Sequence, residues 1–309
     1  MVTKVLFHRQ YDRYSGGQQK VLDYFEHCLA HPELEPYISW GDQSAPIETT
    51  PWQPFKNRAI TDFRPNNFDL VFLAGMDWKE YLDRKAEDQP VINLIQHVRH
   101  ANPEANVYPY LSEAATRICV SEEVKQAIDG TNRVNGRTIA IPNGIDTGYL
   151  DKFVKSPTTN SVYILGLKQP ELAKELESAL SQRFEIICHT DHVPRNQVLD
   201  SMASSEITIL LPHATEGFFL PALEAMLLSK LVVVPDCVGN RSFCVDGINC
   251  LMPDLDKGLL LAAVHSASGL LRSDGAKKLQ KAARETVEAH TLKRERDAFF
   301  KLLSAIGIL

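Results

Sequence analysis

The sequence predicts an α/β protein built of two doubly wound domains. Three observations carry that reading. Short apolar runs alternate with helical patterns along the chain, as parallel sheets with crossover helices require. Its 309 residues exceed a single domain of about 150. A polar stretch at 151–160, with Lys152, Lys155, Ser156, Pro157, Thr158 and Thr159, interrupts the alternation before it restarts. The expected domains are therefore 1–150 and 151–309, each with its own parallel sheet. The strands of both would turn their carboxyl ends to a common central cleft.

In the first half, the runs at 4–8, 37–40, 69–74, 91–96, 117–120 and 138–141 read as strands. Helical patterns at 17–30, 78–84 and 122–128 fit between them. Residues 41–67, rich in Pro, Thr and Gln, read as a long loop. Beyond the linker, strands are expected at 162–165, 184–188, 207–211 and 231–234. Helices are expected at 170–180 and 195–203, between 216 and 231, and then at 256–271, 276–290 and 293–306. No internal repeat of sequence accompanies this repeated, Rossmann-like architecture.

Composition narrows the function. A hydrophobic fraction of 44% supplies two cores. A net charge of −6 gives no global reason to bind nucleic acid, although a local cationic phosphate site is compatible with it. No apolar run approaches the ~18 residues of a membrane helix. Met1 to Phe7 reads straight into a strand and lacks the segments of a signal peptide, so a cytoplasmic location is expected. Cys28, Cys119, Cys188, Cys237, Cys244 and Cys250 include no C-x-x-C pair and are expected as reduced, mostly buried thiols.

The segment Glu216-Gly217-Phe218-Phe219-Leu220-Pro221-Ala222-Leu223-Glu224 is the most informative. It sets two carboxylates around a helix start at the end of a parallel strand. Pro221 suits the first helical position, since its missing N–H would be unsatisfied there anyway. Free amides from Phe218 to Ala222 would face the strand end and favour an anion. Carboxylates accept hydrogen bonds, so Glu216 and Glu224 suit sugar hydroxyls. The plain alternative is a capped helix with Glu224 in its first turn, favouring the dipole.

Other positions carry paired readings. Ser15-Gly16-Gly17 follows the first strand, where paired glycines let a ligand approach the backbone; a tight turn is the alternative. No G-x-G-x-x-G fingerprint or Walker loop is present. His97 ends an apolar run at a strand's carboxyl end. With His100 it lacks a third metal ligand, as does His189-Thr190-Asp191-His192 with its two histidines. Lys168 could neutralise a phosphate or be a surface lysine. Asn143-Gly144 reads as a turn. No nucleophile elbow or catalytic triad order is evident.

Taken together, these segments resemble the GT-B fold glycosyltransferases, and within them the retaining family 4. The resemblance rests on Glu216–Met226, on Val232-Val233-Val234 with Gly239 and Asp246-Gly247-Ile248-Asn249, on Val120-Ser121-Glu122-Glu123-Val124, and on Pro142-Asn143-Gly144-Ile145-Asp146. It implies transfer of a hexosyl or related group from a nucleotide-sugar donor to an acceptor hydroxyl. The anomeric configuration would be retained, with no metal and no cofactor beyond that co-substrate. Gly16 and Gly17 would face the diphosphate, and Glu216 the donor sugar with Gly217, Phe218 and Phe219 nearby. Glu224 would hold the ribose, His97 would lie near the reacting sugar, and Lys168 would stabilise the leaving diphosphate. The sequence departs from the family at 166–174: Leu167 stands where an Arg is usual, and the lysines are shifted, so that Lys168 and Lys174 compete for the diphosphate role. Implied acceptors are a glycan, a lipid-linked or another hydroxyl compound, in surface glycan or glycoconjugate synthesis. The implied place is the cytoplasm or the inner face of the membrane. The last helix would cross back onto the first domain. The alternatives are an epimerase or phosphorylase of the same fold, or a GT-B-like binding or scaffold protein without catalysis.

Overall fold

The computed structural model describes residues 2–41, 43–85 and 88–309. The chain forms two compact units. One runs to Pro142 and takes back Glu295–Leu309; the other is Asn143–Arg294.

The first unit contains β1 (Thr3–Arg9), α1 (Gly16–Leu29), β2 (Leu34–Trp40), β3 (Ala59–Ile60), β4 (Leu70–Ala74), α2 (Asp77–Leu82), β5 (Val91–Ile95), β6 (Thr116–Cys119), α3 (Glu122–Asp129) and β7 (Thr138–Ala140). Its strands form one parallel sheet of order β3-β2-β1-β4-β5-β6-β7. Every residue of β4 and β5 is buried, as the centre of a sheet covered on both faces demands. Strand order reverses between β1 and β4, so the carboxyl ends of these two strands flank the topological switch point. Pro36 is accommodated because β3 meets β2 only at Ile38 and Ser39, leaving no neighbour for its missing donor.

The segment 41–67 is more ordered than a plain loop. It holds 3-10 turns at Ile47–Thr49, Gln53–Arg58 and Pro65–Asn67, as well as β3. Trp52 is the reason: it is fully buried, with its ring 5.1 Å from Phe25 and 6.0 Å from Trp40. Burying such a ring is worth about 1.5–3 kcal/mol, enough to fix a segment with little propensity of its own.

The second unit contains α4 (Thr147–Leu150), β8 (Thr158–Leu165), α5 (Pro170–Leu180), β9 (Glu185–His189), α6 (Arg195–Ser204), β10 (Ser205–Leu210), α7 (Leu220–Leu228), β11 (Leu231–Val233), α8 (Lys257–Leu270) and α9 (Asp274–Ala289). The four strands are parallel in the order β11-β10-β8-β9. Alternate side chains serve two cores. Val162, Ile164, Ile207 and Ile209 pack with Leu176, Leu260 and Val264. Tyr163 and Leu210 pack with Leu199, Met202, Leu223 and Val287. The stretch expected as linker ends early, because β8 already begins at Thr158.

Asn143-Gly144 does not form the expected turn. Instead Ile145 bridges to Thr291: the Ile145 N–H donates to His290 O at 2.9 Å and the Leu292 N–H donates to Ile145 O at 3.1 Å. A Cβ on Gly144 would lie 2.3 Å from Thr291 O, so this pairing needs glycine. Tertiary hydrogen bonds override the local turn signal.

The last helix, α10 (Leu292–Ala305), carries Phe299 into the first unit's core, 5.0 Å from Tyr24. It also delivers Glu295, whose side chain is fully buried. Lys20 Nζ lies 2.6 Å from Glu295 Oε2 and 2.7 Å from Asp23 Oδ2, and His27 Nε2 lies 3.0 Å from Glu295 Oε1. Burial alone would raise the Glu295 carboxyl, but Lys20 and His27 outweigh it and hold it below its usual range. Burial would likewise lower Lys20, and Asp23 with Glu295 raise it above its usual value. Glu295 thus contributes stability that is present above the ordinary carboxylate range and is lost as pH falls through its depressed value. The contribution of Lys20 is present below the ordinary lysine range and is lost as pH rises through its raised value.

Removing one member of such a cluster strands a buried charge. Glu295→Ala should lower the stability of the first unit by about 3–5 kcal/mol in chemical denaturation. A loss below about 1 kcal/mol, typical of exposed pairs, would show that the cluster does not anchor the helix.

Candidate functional site

In the second unit the site residues stand at the carboxyl ends of β8, β9 and β10. After β10 the chain leaves regular structure, and the loop is shaped from outside. Val238 N–H donates to Ala214 O at 3.0 Å, and Phe219 N–H to Gly239 O at 2.9 Å. A Cβ on Gly239 would lie 2.8 Å from Phe218 N and 2.9 Å from Glu216 O, so glycine alone permits this approach. The opposing turn is itself braced: Asn240 Oδ1 accepts from Cys237 N–H at 3.0 Å, and Asn240 Nδ2 donates to Pro235 O at 2.9 Å. Glu216 is left half-exposed, with its N–H donating to His213 O at 3.1 Å. Phe218 packs 5.1 Å from Phe243, and Phe219 is buried.

Two expectations about α7 need correction. The helix starts at Leu220, with Pro221 second, so Glu224 lies beyond the first turn, which holds no acid. The amides of Phe219, Leu220 and Ala222 are not free. They donate to Gly239 O, Phe218 O and Phe219 O respectively. Of the residues from Phe218 to Ala222, only the Phe218 N–H lacks an acceptor among the described residues, Pro221 having no N–H.

Glu224 is 8% exposed, and its Oε1 accepts from Arg195 Nη2 at 2.5 Å. Arg195 opens α6, and its guanidinium stands 5.8 Å from the ring of Tyr149. Close by, Tyr163 Oη meets His189 Nδ1 at 3.0 Å. Burial, and with it the charges of Cys188 and Glu224, pushes the Tyr163 phenol up, so it stays protonated. Arg195, Tyr149 and Tyr163 were not singled out in the sequence, and His189 was considered only as a metal ligand. Arg195 opens an expected helix, but nothing local pairs it with a carboxylate twenty-nine positions on.

Lys168 lies in the turn between β8 and α5, exposed and with no ion pair among the described residues. Lys174 is exposed too, 4.0 Å from Glu171. α5 begins at Pro170, and the amides of Glu171 and Leu172 have no acceptor among the described residues. A Cβ on Gly166 would come 2.2 Å from the Ala173 Cβ, so this glycine lets α5 close on the strand end. The open helix start beside Lys168 is therefore α5, not α7.

The first unit brings Gly16, Gly17 and His97 to one rim. Gly16 opens α1 behind Ser15, whose Oγ accepts from Gln18 N–H at 3.2 Å. Gly17 O accepts from Gln96 Nε2 at 3.1 Å, and His97 follows directly. A Cβ at Gly17 would meet only Gln96, at an ordinary 3.4 Å, so protein packing does not require that glycine. His97 Nδ1 accepts from Arg99 N–H at 3.0 Å. His100 is buried, and burial with Arg99 and His97 pushes it down to about 3, so it is neutral. No group of three His, Cys, Asp or Glu among the described residues is placed to hold a metal ion. At the switch point Arg9 Nη1 lies 2.9 Å from Asp77 Oδ2, and Arg9 Nε donates to Gln18 Oε1 at 3.0 Å, a network that sequence reading missed.

No protein-family model matches this sequence. A comparison with curated proteins finds no relative. Solved structures do share its fold. A glycosyltransferase from Rickettsia africae is 16% identical with a TM-score of 0.71, over 99% of this chain and 98% of that one. HepE from Anabaena, in complex with UDP-glucose, is 14% identical with a TM-score of 0.71, over 98% of this chain and 100% of that one. A sucrose-phosphate synthase from Thermosynechococcus elongatus is 13% identical with a TM-score of 0.68, over 98% and 99%. The chain thus has the GT-B glycosyltransferase fold: two α/β units, each with a parallel sheet.

Gly239→Ala should cost about 1–3 kcal/mol in chemical denaturation, because backbone must move to admit the methyl group. An unchanged midpoint would mean that the 212–219 loop is not held by this approach.

Proposed function

We propose that the protein is a retaining glycosyltransferase of the family 4 type. It would move a sugar from a nucleotide-sugar donor to an acceptor hydroxyl in surface glycan or glycoconjugate synthesis. The observation that carries the reading is the Glu216 and Glu224 pair and the open start of α5, which follow adjacent parallel strands of one sheet, on a fold shared with HepE in complex with UDP-glucose. No helix among the described residues is long and apolar enough to cross a membrane, and the acceptor is proposed to be soluble or presented at a membrane surface.

In the reaction the bond from the anomeric carbon to the diphosphate breaks, and its electron pair leaves on the diphosphate. The acceptor oxygen bonds to that carbon on the same face and passes its proton to the departing diphosphate oxygen. The chief electrostatic demand is the charge growing on the diphosphate. Lys168 and the amides of Glu171 and Leu172 answer it, aided by the α5 dipole. Glu216 holds donor sugar hydroxyls, with the Phe218 amide adjacent. Glu224 holds the ribose. Gly16 and Gly17 are assigned to the diphosphate and His97 to the reacting sugar, by the same resemblance. The two carboxylates grip the donor, so neither is a nucleophile.

A second reading, a GT-B-like binding protein without catalysis, is favoured by Leu167 in the place of the family's Arg.

A thermal-shift screen with UDP, GDP and ADP should find one that stabilises the protein, by about 2.7 kcal/mol at a hundredfold excess over its dissociation constant. No shift with any nucleotide would overturn the donor reading. Glu216→Ala should abolish transfer in a coupled assay and leave the melting temperature nearly unchanged, since the residue is half-exposed. Intact transfer would remove Glu216 from the machinery, and nucleotide binding without any wild-type transfer would favour the binding protein. Lys168→Ala should weaken the nucleoside diphosphate more than the nucleoside; equal effects would make Lys168 a surface residue.

A further inference from the structure

We infer that Arg195 is a positioning residue that turns Glu224 into a single-hydroxyl reader of the ribose. This rests on the donor reading above and adds to it a residue and a discrimination rule. The carboxylate of Glu224 is nearly buried, and one of its oxygens, Oε1, is taken by Arg195 Nη2 at 2.5 Å. Its other oxygen, Oε2, has no hydrogen-bond partner among the described residues and is left for a ligand. A charge-assisted bond of this kind is about twice as strong as a neutral one. Arg195 is in turn held at the first position of α6 and placed over Tyr149, which also bonds Asn196. The carboxylate is therefore biased to turn Oε2, rather than both oxygens, toward a ribose diol.

One geometric consequence follows. A carboxylate with both oxygens free grips the two neighbouring hydroxyls of a ribose together, and loss of either is felt. With Oε1 engaged, one hydroxyl meets Oε2 and the other does not. Without Arg195 the carboxylate has no fixed orientation and the selectivity between the two hydroxyls disappears.

The test is calorimetric titration of the full-length protein with the nucleoside diphosphate that binds best, and with its 2′-deoxy and 3′-deoxy analogues. In the wild type, one analogue should bind about tenfold or more weaker, the size of a lost bond to a charged group, and the other nearly as well as the parent. In Arg195→Met the two analogues should bind alike, and Arg195→Lys should restore part of the difference. A purely structural arginine would weaken all three ligands by one factor and keep their ratios. That result, or a wild type in which both deoxy analogues lose affinity equally, overturns the inference while leaving the donor reading standing. If the wild type binds no nucleoside diphosphate, the donor reading itself fails and this inference falls with it.

Discussion

The shape of the loop bearing Glu216 depends on one close approach, that of Gly239 to the backbone from Glu216 to Phe218. The loop has no strand or helix to define it. Its form comes from the hydrogen bonds that this approach allows, Phe219 N–H to Gly239 O and Val238 N–H to Ala214 O. Those bonds consume an amide at the start of α7 and seat Phe218 against Phe243. Glu216 is thereby presented at the rim while Gly217 and Phe219 are buried. A parallel sheet supplies the rim, but the glycine contact decides which groups stand on it. The same logic recurs at Gly166, where α5 can close on β8 only because no Cβ intervenes. The Glu171 and Leu172 amides of α5 are open among the described residues, and α7 has almost none. That is why the diphosphate is assigned to Lys168, Glu171 and Leu172.

The first unit is held by a different device. Glu295 arrives from the far end of the chain and is buried against Lys20 and His27, with Asp23 ion-paired to the same Lys20. Buried ions need partners, and removing one partner of such a set is costly. Arg117 shows the neutral counterpart: it is fully buried and donates to the carbonyls of Tyr110, Leu111, Glu113, Ala115 and Asn135, pinning the 110–115 segment without a carboxylate. Polar networks thus fix the position of segments that apolar packing alone would leave variable.

Much of the fold was legible because it is written locally. The strands are continuous apolar runs, as buried parallel strands must be. Helix 170–180, expected from the sequence, has Pro170 at its start and buries Ala173, Leu176 and Leu180 at helical spacing. What escaped detection is nonlocal. Residues 41–67 gain order from Trp52 reaching Phe25 and Trp40, and Asn143-Gly144 loses its turn to pairing with 290–292. In the site, the acid motif was visible as a pattern. Its partner Arg195 was not, because an ion pair across two helices leaves no periodic trace. Of the free amides expected of α7, that of Phe219 is taken by Gly239 O, and those of Leu220 and Ala222 by Phe218 O and Phe219 O in the turn itself.

The central claim is that the second unit holds a nucleotide through the α5 start and the Glu216 loop. Hydrogen–deuterium exchange with and without saturating UDP, GDP or ADP tests it most directly. The account predicts slowed exchange at Glu171 and Leu172, and at Phe218, with whichever nucleotide binds. Tight binding that leaves these amides exchanging at their free rates would contradict it.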